Sequence, residues 1–147
     1  MGKAARAIII EDDKILVMFR NKEGSQYYTL VGGRLNDDEL PEQALVREVK
    51  EETGLDVTAC RLVFTESHPE PYNDQYIYLC TVAPHADVAI QETSEEGFMN
   101  KISVNVHTPL WAQVQSFSKL PFRTIQLQAA ITAALAKGFP TEPIALS

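Results

Sequence analysis

The chain has 147 residues, of which 45% are apolar and 22% charged, and its formal net charge at pH 7 is -7. A chain of this length can bury a core of its own, so these values predict one globular domain over residues 1–147. The acidic balance excludes a broad surface for nucleic acid, which needs clustered basic residues, and no apolar run approaches the roughly 20 residues that span a bilayer.

The N-terminal part of the chain predicts three strands that lead into a glycine pair. Apolar, β-branched runs at residues 5–10 and 14–20 flank a short polar segment, which indicates a hairpin. Residues 26–31 are rich in aromatic and β-branched side chains and predict a third strand. This strand runs directly into Gly32 and Gly33.

Residues 41–53 carry the clearest helix signal of the chain. Pro41 suits the first helical position, where its missing N–H costs nothing, and Glu42 lies favourably in the positive first turn. Gly54 suits the position just past the end, where a left-handed backbone is common. Leu40 is a poor N-cap, because its side chain offers no acceptor to the first N–H groups of the helix.

The second half of the chain predicts further strands and helices. They are, in chain order, a strand at 57–65, a loop at 66–74, a strand at 75–83, a long polar loop at 84–100, a strand at 102–106 with an edge extension at 108–111, a short helix at 112–117, a long helix at 121–137 and a loose tail at 141–147. Pro109 confines the extended strand to an edge. Strands with long helices between and after them predict an α/β (α+β) fold, in which helices cover both faces of a mixed sheet.

The two cysteines predict no disulfide framework. Cys60 and Cys80 each lie in an apolar, strand-like run and have no metal-ligand spacing. We interpret them as buried free thiols of a reducing compartment. The apolar run near the N-terminus is too short for a signal peptide, so we expect a cytoplasmic protein without a membrane partner.

Three carboxylates share one side of the predicted helix at residues 41–53. Glu48, Glu51 and Glu52 are spaced i, i+3, i+4, and like charges at this spacing repel each other unless a cation compensates them. Arg47 precedes Glu51 by one turn and can pair with it, and the small side chain of Ala44 leaves room beside Glu48. The alternative is a solvated helix face with ordinary i, i+4 ion pairs.

A face of this kind suits the hydrolysis of a phosphate anhydride. Magnesium takes oxygen ligands from carboxylates, phosphates and water, and a bound metal neutralises the phosphates and acidifies the attacking water. A further carboxylate can accept the proton of that water. Gly32 and Gly33 would let the backbone approach the metal or the substrate closely.

The stretch resembles the Nudix box of the Nudix (MutT-like) hydrolase family. The box is a glycine, five residues, a glutamate, seven residues, Arg-Glu, an aliphatic residue, any residue, Glu-Glu, any residue, a glycine and an aliphatic residue. Its positions are filled here by Gly33, Glu39, Arg47, Glu48, Val49, Glu51, Glu52, Gly54 and Leu55. The resemblance implies a Nudix fold, which is an α/β/α sandwich with a mixed β-sheet, and an enzyme that hydrolyses pyrophosphate bonds.

The resemblance also implies a metal site. Glu48, Glu51 and Glu52 would bind Mg²⁺ or Mn²⁺ together with the carbonyl of Gly32, and Glu48 would serve as the general base. Arg47 would orient these carboxylates through a salt bridge. Glu39 would assist near the metals.

Further candidate site residues lie mainly after the box in the chain. In many members of the family the base or an extra metal ligand comes from a loop after the box, where Glu95 and Glu96 are the candidates; solvated loop charges are the alternative. Together with Gly33 and Tyr72 they are the candidate substrate contacts. Val31 stands where many relatives have a proline, which we expect to alter loop geometry without loss of chemistry.

The residues after the box give conflicting signals about the substrate. The family associates a proline shortly after the box with ADP-ribose cleavage and a slightly later tyrosine with dinucleoside polyphosphates, and Pro71 and Tyr72 occupy these places. Aromatic residues that could stack on a base, or simply pack in the sheet and core, are Tyr27, Tyr28, Tyr72, Tyr76, Tyr78 and Phe98. Residues with no partner pattern, interpreted as bystanders or core, are His68, His85, His107 and Trp111.

Three functions stay open at this point. The first is metal-dependent hydrolysis of a nucleoside diphosphate linked to another moiety, which yields a nucleoside monophosphate and a phosphorylated second product. The second is a house-cleaning nucleoside triphosphatase or a non-nucleotide pyrophosphatase, and the third is a non-catalytic nucleotide-sensing module. The expected partner is a small phosphorylated substrate, and a homodimer is one alternative because many members of the family are dimers.

Overall fold

The computed structural model describes residues 2–67, 74–86, 88 and 105–146. The described elements are β1 (Lys3–Glu11), β2 (Lys14–Lys22), β3 (Ser25–Thr29), β4 (Val31–Arg34), α1 (Pro41–Thr53), β5 (Val57–Ser67), β6 (Asp74–Val82), β7 (Asn105–Gln113), a 3₁₀ helix (Val114–Lys119), α2 (Ile125–Lys137) and β8 (Ile144–Leu146). The predicted α/β class is confirmed. The predicted helix at residues 41–53 has the same bounds in the structure.

Strand β1 is the centre of a mixed sheet. It pairs in parallel with β6 and antiparallel with β4, and its last residues, Ile10 and Glu11, pair antiparallel with β2. The sheet continues from β2 to β3 and β7 and from β6 to β5 and β8. The predicted hairpin of the first two strands is therefore present.

Side chains of β1 alternate between two cores on opposite faces of the sheet. Ala5, Ala7 and Ile9 lie in the core that α1 covers. Ile8 points to the other face and packs in the core that includes Leu127 of α2. Because successive residues of a strand face opposite sides, this alternation places the two helices on opposite faces, as predicted.

The predicted strand at residues 26–31 is two strands. β3 ends at Thr29 and pairs with β2, whereas β4 begins at Val31 and pairs with β1. The chain changes partner at Leu30, so the glycine pair lies within β4 and directly beside β1. A Cβ at Gly32 would come within 2.1 Å of the carbonyl oxygen of Ala5, so this close approach requires glycine.

The loop predicted at 66–74 is shorter in the structure. Glu66 and Ser67 continue β5 and pair with Gln75 and Asp74 of β6, so only residues 68–73 separate the two strands, and these lie outside the described residues. Most of the predicted loop at 84–100 and the predicted strand residues 102–104 also lie outside the described residues. The edge extension at 108–111 belongs to β7, in which Pro109 lies opposite Met18 of β2.

The predicted long helix begins at Ile125, not at Pro121. Tyr28 holds the preceding segment against β3, because its N–H donates to the carbonyl of Pro121 at 2.8 Å and its carbonyl accepts from the N–H of Arg123 at 3.0 Å. Thr124 then caps α2 by accepting from the N–H of Leu127. The predicted short helix at 112–117 was also displaced, because β7 reaches Gln113 before the 3₁₀ helix begins.

The predicted loose tail forms strand β8. It pairs in parallel with β5, and Leu146 lies opposite Glu66. Leu146 also packs against the core on the α2 face. The backbone hydrogen bonds of this pairing connect residues far apart in the sequence, which local patterns do not reveal.

The two cysteines are free and lie opposite each other on β5 and β6. Cys80 is buried, as expected, whereas Cys60 is only half-buried. Burial is the largest cause that raises the pKa of both thiols, which makes them poor nucleophiles. Among the described residues, no helix is long and apolar enough to cross a membrane.

Candidate functional site: an acidic helix face and a cavity behind it

Helix α1 carries core residues and acidic residues on adjoining sides. Ala44, Leu45 and Val49 are buried against the sheet, and Glu48 and Glu52 are buried beside them, at 8% and 0% exposure. Residues next to each end of the helix explain where it starts and stops. Gly54 is left-handed at φ 79°, and the N–H of Leu40, which lacks a capping side chain, donates to Gln43 Oε1 at 2.9 Å.

Glu52 is anchored to the backbone of β4. Its Oε1 accepts from the N–H of Gly32 at 2.7 Å. A fully buried carboxylate is costly unless donors compensate it, so this contact fixes both the side chain and the strand. Gly32 in turn accepts, at its carbonyl, a hydrogen bond of 3.1 Å from Arg6 Nη1.

Arg47 is the hub of the acidic residues. Its Nε and Nη2 donate to the two oxygens of Glu39, each at 2.8 Å. Its Nη1 donates to Glu48 Oε1 at 2.9 Å and lies 3.5 Å from Glu51 Oε2, so the predicted pair with Glu51 is present but is the longest of the three. Nη2 also donates to the carbonyl of Arg34 at 3.0 Å.

The charges of this hub shift the pKa values of its members. The hydrogen bond from Arg47, followed by one from the N–H of Asn36, lowers the pKa of Glu39 to about 2. The hydrogen bond to Glu39 is also the largest cause that raises the pKa of Arg47 above its ordinary value. Both groups are therefore charged across the neutral range, and Arg47 holds the carboxylates of Glu48 and Glu51 from one side.

The donor set agrees with the needs of a divalent metal. A Cβ at Gly33 would come within 2.6 Å of the carboxyl carbon and Oε2 of Glu48, so glycine leaves the space beside this carboxylate open. No group of three Asp, Glu, His or Cys side chains converges as a ready ligand set in the described part of the chain. Magnesium, however, usually takes one or two carboxylates and completes its shell with phosphates and water. Glu48 and Glu52 meet that requirement.

Several predicted site residues fall elsewhere. Tyr72, Glu95 and Glu96, together with Pro71 and Phe98, lie outside the described residues. Tyr78 is buried, and desolvation is the largest cause that raises its pKa to about 12. Its role in the described structure is packing in the core beside α1.

One histidine interpreted as a bystander has partners. His85 Nε2 lies 2.7 Å from Glu11 Oε1. Its ring also stacks on Trp111, with the ring centres 6.0 Å apart. Trp111 packs as a partly buried residue against the core on the α1 face, in agreement with its interpretation as a packing residue.

A cavity of about 390 Å³ lies on the α2 side of the sheet, and the sequence analysis did not predict it. Residues from β1, β2, β3, β5, β6 and the start of α2 line it, among them Arg6, Arg20, Tyr27, Glu66, Gln75 and Arg123. The one local signal was Arg6, a charge within the apolar run of β1. Arg6 donates to Gln75 Oε1 in the cavity and to the carbonyl of Gly32, and the N–H of Gly32 donates to Glu52, so a single residue connects the cavity wall to the acidic face.

Comparison with known proteins supports the sequence resemblance. The family model described as the NUDIX domain matches residues 1–124. An 8-oxo-dGTP diphosphatase from Proteus vulgaris is 49% identical over 53 residues, which are 36% of this chain and 46% of that protein. A CTP pyrophosphohydrolase from Escherichia coli (strain K12) is 36% identical over 81 residues, 54% of this chain and 58% of that protein. The chain therefore spans about half the length of these curated relatives.

Solved structures share the fold over most of the chain. The solution structure of the E. coli ORF135 protein has a TM-score of 0.69 and 24% identity, and the alignment covers 97% of this chain and 95% of that one. A crystal structure described as a putative nudix hydrolase family member from Chromobacterium violaceum has a TM-score of 0.61 and 26% identity, with 93% and 77% covered. The sandwich architecture is thus common to these proteins.

Proposed function

Because the chain belongs to the NUDIX domain family, we propose that it is a metal-dependent hydrolase of a pyrophosphate bond in a nucleoside diphosphate linked to another moiety. The observation that carries the proposal is the Arg47 hub beside the buried Glu52, which holds acidic oxygens on one face of α1. A purely structural surface would have little reason to bury two glutamates in this way, since charged groups are costly to bury.

Different residues of the site would bind the metal and orient the carboxylates. Glu48 and Glu52 would hold Mg²⁺ or Mn²⁺, with Glu51 and the Gly32 carbonyl as further candidate ligands, and the bound metal would supply charge neutralisation and a more acidic water. Arg47 would keep the carboxylates apart and correctly oriented.

Glu39 would fix Arg47 in turn, through the two hydrogen bonds that it accepts. Gly33 leaves room beside Glu48 and would let the substrate approach the carboxylate.

The reaction itself needs one base and one leaving group. Water would attack a phosphorus of the anhydride, a carboxylate would take the proton, and the bridging P–O bond would break to release the second phosphorylated product. Glu48 is the candidate base, because its carboxylate lies at the open space beside Gly33. Glu95 or Glu96 is the alternative base.

A second candidate function has specific support. Two of the curated relatives are named for 8-oxo-dGTP and CTP, so hydrolysis of a nucleoside triphosphate to a monophosphate and pyrophosphate is the alternative to the linked diphosphate. A non-catalytic nucleotide-sensing module is the third alternative. The substrate in each case is a small phosphorylated molecule.

A substrate panel tests these alternatives. Nucleoside triphosphates, ADP-ribose and dinucleoside polyphosphates are incubated with Mg²⁺, with and without chelator, and the products are separated by chromatography. The proposal expects AMP and ribose 5-phosphate from ADP-ribose, or the corresponding pair from another linked diphosphate, faster than any triphosphate is cut. Turnover stops when the metal is removed.

Matched variants of α1 complete this test. Glu48→Gln is expected to lower kcat by about 10²–10⁴-fold, whereas Glu42→Gln, an exposed glutamate of the same helix, keeps the wild-type rate. Gly33→Ala is expected to weaken Mn²⁺ binding, measured by electron paramagnetic resonance, because its Cβ would crowd Glu48. If no compound is cut and Glu48→Gln alters neither rate nor Mn²⁺ binding, the non-catalytic module replaces the enzyme.

A further inference from the structure

A half-buried arginine lies in the apolar strand at the centre of the sheet. The neighbours of Arg6 on β1, Ala5 and Ala7, are fully buried in the core beneath α1. Because successive residues of a strand face opposite sides, Arg6 extends to the face of α2, where it lines the cavity. Burying part of a charged side chain is costly unless its donors find acceptors, so the contacts of Arg6 explain why a charge is tolerated in this strand.

The guanidinium of Arg6 joins β1 to two other strands. Its Nε donates to Gln75 Oε1 of β6 at 3.2 Å, and its Nη1 donates to the carbonyl of Gly32 in β4 at 3.1 Å. Nη1 also lies 3.5 Å from the carbonyl of Leu30, the residue at which the chain passes from β3 to β4. Arginine suits this place because its planar group presents several donors in a fixed fork, whereas lysine offers a compact point charge.

Gly32 is held at both of its peptide units. The peptide unit before it donates, through the Gly32 N–H, to Glu52 Oε1 at 2.7 Å. The peptide unit after it, which leads to Gly33, supplies the carbonyl that accepts from Arg6. Glycine has the widest choice of backbone torsions, and Gly32 adopts φ 134°. The two contacts therefore restrain torsions that a side chain at this position would otherwise limit.

The peptide unit that Arg6 contacts also borders Glu48. A Cβ at Gly33 would come within 2.6 Å of the carboxyl carbon of Glu48, so the main chain of Gly33 lies against this carboxylate. A rotation of the peptide unit would displace the backbone beside Glu48 and weaken the hydrogen bond from Gly32 to Glu52. The arrangement of both buried glutamates of α1 therefore depends on the orientation of one peptide unit.

We propose that Arg6 is a positioning residue for the metal site. By holding the peptide unit between Gly32 and Gly33, its guanidinium keeps the buried carboxylates of α1 in the arrangement that binds a divalent metal. This inference rests on the proposed function and deepens it, because it adds a residue from the opposite face of the sheet to the acidic face of α1. Arg6 acts through the peptide unit and is not itself a ligand.

Amide exchange tests the positioning step without metal or turnover. Hydrogen exchange is followed by NMR in the full chain labelled with ¹⁵N, for the wild type and for Arg6→Met, which keeps an unbranched side chain without donors. The Gly32 N–H is expected to exchange about 10-fold faster in the variant, the order that the loss of one hydrogen bond gives. The N–H of Val49, buried in α1, is expected to keep its rate, because only a general loss of stability would accelerate both amides.

Manganese affinity tests the consequence for the metal site. Mn²⁺ binding is measured by electron paramagnetic resonance, and Arg6→Met is expected to weaken it by about 10-fold, as the loss of a residue that orients metal ligands does. The sign is diagnostic, since removal of a positive charge would by itself tighten the binding of a cation. Arg6→Lys, which keeps the charge, is expected to lose less affinity, and it remains informative if Arg6→Met fails to fold.

A second arginine of the cavity provides the matched control. Arg20 lines the same cavity but donates to Thr29 Oγ1. Arg20→Gln removes one positive charge, as Arg6→Met does, and leaves the contact with Gly32 in place. It is therefore expected to bind Mn²⁺ at least as tightly as the wild type and to keep the exchange rate of the Gly32 N–H.

Each other outcome counts against a specific claim. An unchanged exchange rate of Gly32 in Arg6→Met overturns the inference, and so does faster exchange with unchanged Mn²⁺ affinity, because the contact would then serve the sheet alone. If the wild type binds Mn²⁺ and cuts a substrate while both Arg6 variants bind Mn²⁺ as tightly, only this inference fails. If the wild type neither binds Mn²⁺ nor cuts any substrate, the hydrolase proposal fails, and the positioning role of Arg6 fails with it.

Discussion

At the scale of single residues, the contact between Glu39 and Arg47 is the strongest electrostatic feature of the acidic face. It lowers the pKa of Glu39 from 4.5 to about 2. Because the pKa is lower in the folded than in the unfolded protein, the contact contributes stability that is complete above about pH 4.5 and is lost as the pH falls towards 2. The contact is bidentate and partly buried, which favours a measurable contribution.

Glu39→Gln should therefore lower the free energy of unfolding at pH 7 by about 1 kcal/mol. It should also flatten the decline in stability between pH 4.5 and 2, because the variant has no carboxylate to protonate there. Urea unfolding at pH 7, 4 and 3 measures both effects, with Glu142→Gln, at an exposed glutamate outside the helices, as the control. Parallel stability curves for Glu39→Gln and the wild type would contradict this linkage.

The sequence revealed only one of the contacts that Arg47 forms with acidic residues. The i, i+4 spacing correctly predicted that Arg47 reaches Glu51, since both lie on one helix. The shorter contact to Glu39 depends on how the segment before α1 folds back, which helical periodicity does not describe. The family pattern marked Glu39 as a site residue, but its partner became visible only in the structure.

At the scale of elements, the start of α2 depends on Thr124. Its Oγ1 accepts from the N–H of Leu127 and donates to Glu66, so it joins the helix to β5. Thr124→Ala should lower the free energy of unfolding by about 1 kcal/mol, the usual cost of a lost N-cap. Thr124→Ser keeps the oxygen and should lie close to the wild type in urea unfolding. An equal loss in both variants would show that the methyl group, not the cap, carries the effect.

Elements defined by local signals were predicted well, and those defined by distant partners were not. Helix α1 has its proline, its first-turn glutamate and its closing glycine within its own sequence, and its predicted bounds agree with the structure. Helix α2 starts later than predicted because Tyr28, a residue far away in the sequence, holds the segment before it. Strand β8 was missed for the same reason, since within the described residues it pairs with β5, which is far away in the sequence.

At the scale of the whole molecule, the sheet separates the acidic face of α1 from the cavity on the α2 side. The acidic face of α1 comes largely from one contiguous stretch, which is why a sequence pattern identified it. The cavity on the α2 side collects Arg6, Glu66 and Arg123 from three distant parts of the chain. Prediction of such a cavity needs the strand order, in which β1 lies beside β6, and β6 beside β5.

This separation predicts that changes on the two sides act independently on catalysis. Glu39 contacts Arg47, and Arg123 contacts Tyr27, so the two residues share no partner in the described part of the chain. The losses in kcat/KM caused by Glu39→Gln and Arg123→Gln should therefore multiply in the double variant, to within about a factor of two. Glu39→Gln combined with Arg47→Lys should deviate strongly from a product, because these residues form one contact. Initial rates on the best substrate measure both cycles. A coupling of about 10-fold between Glu39 and Arg123 would contradict this separation.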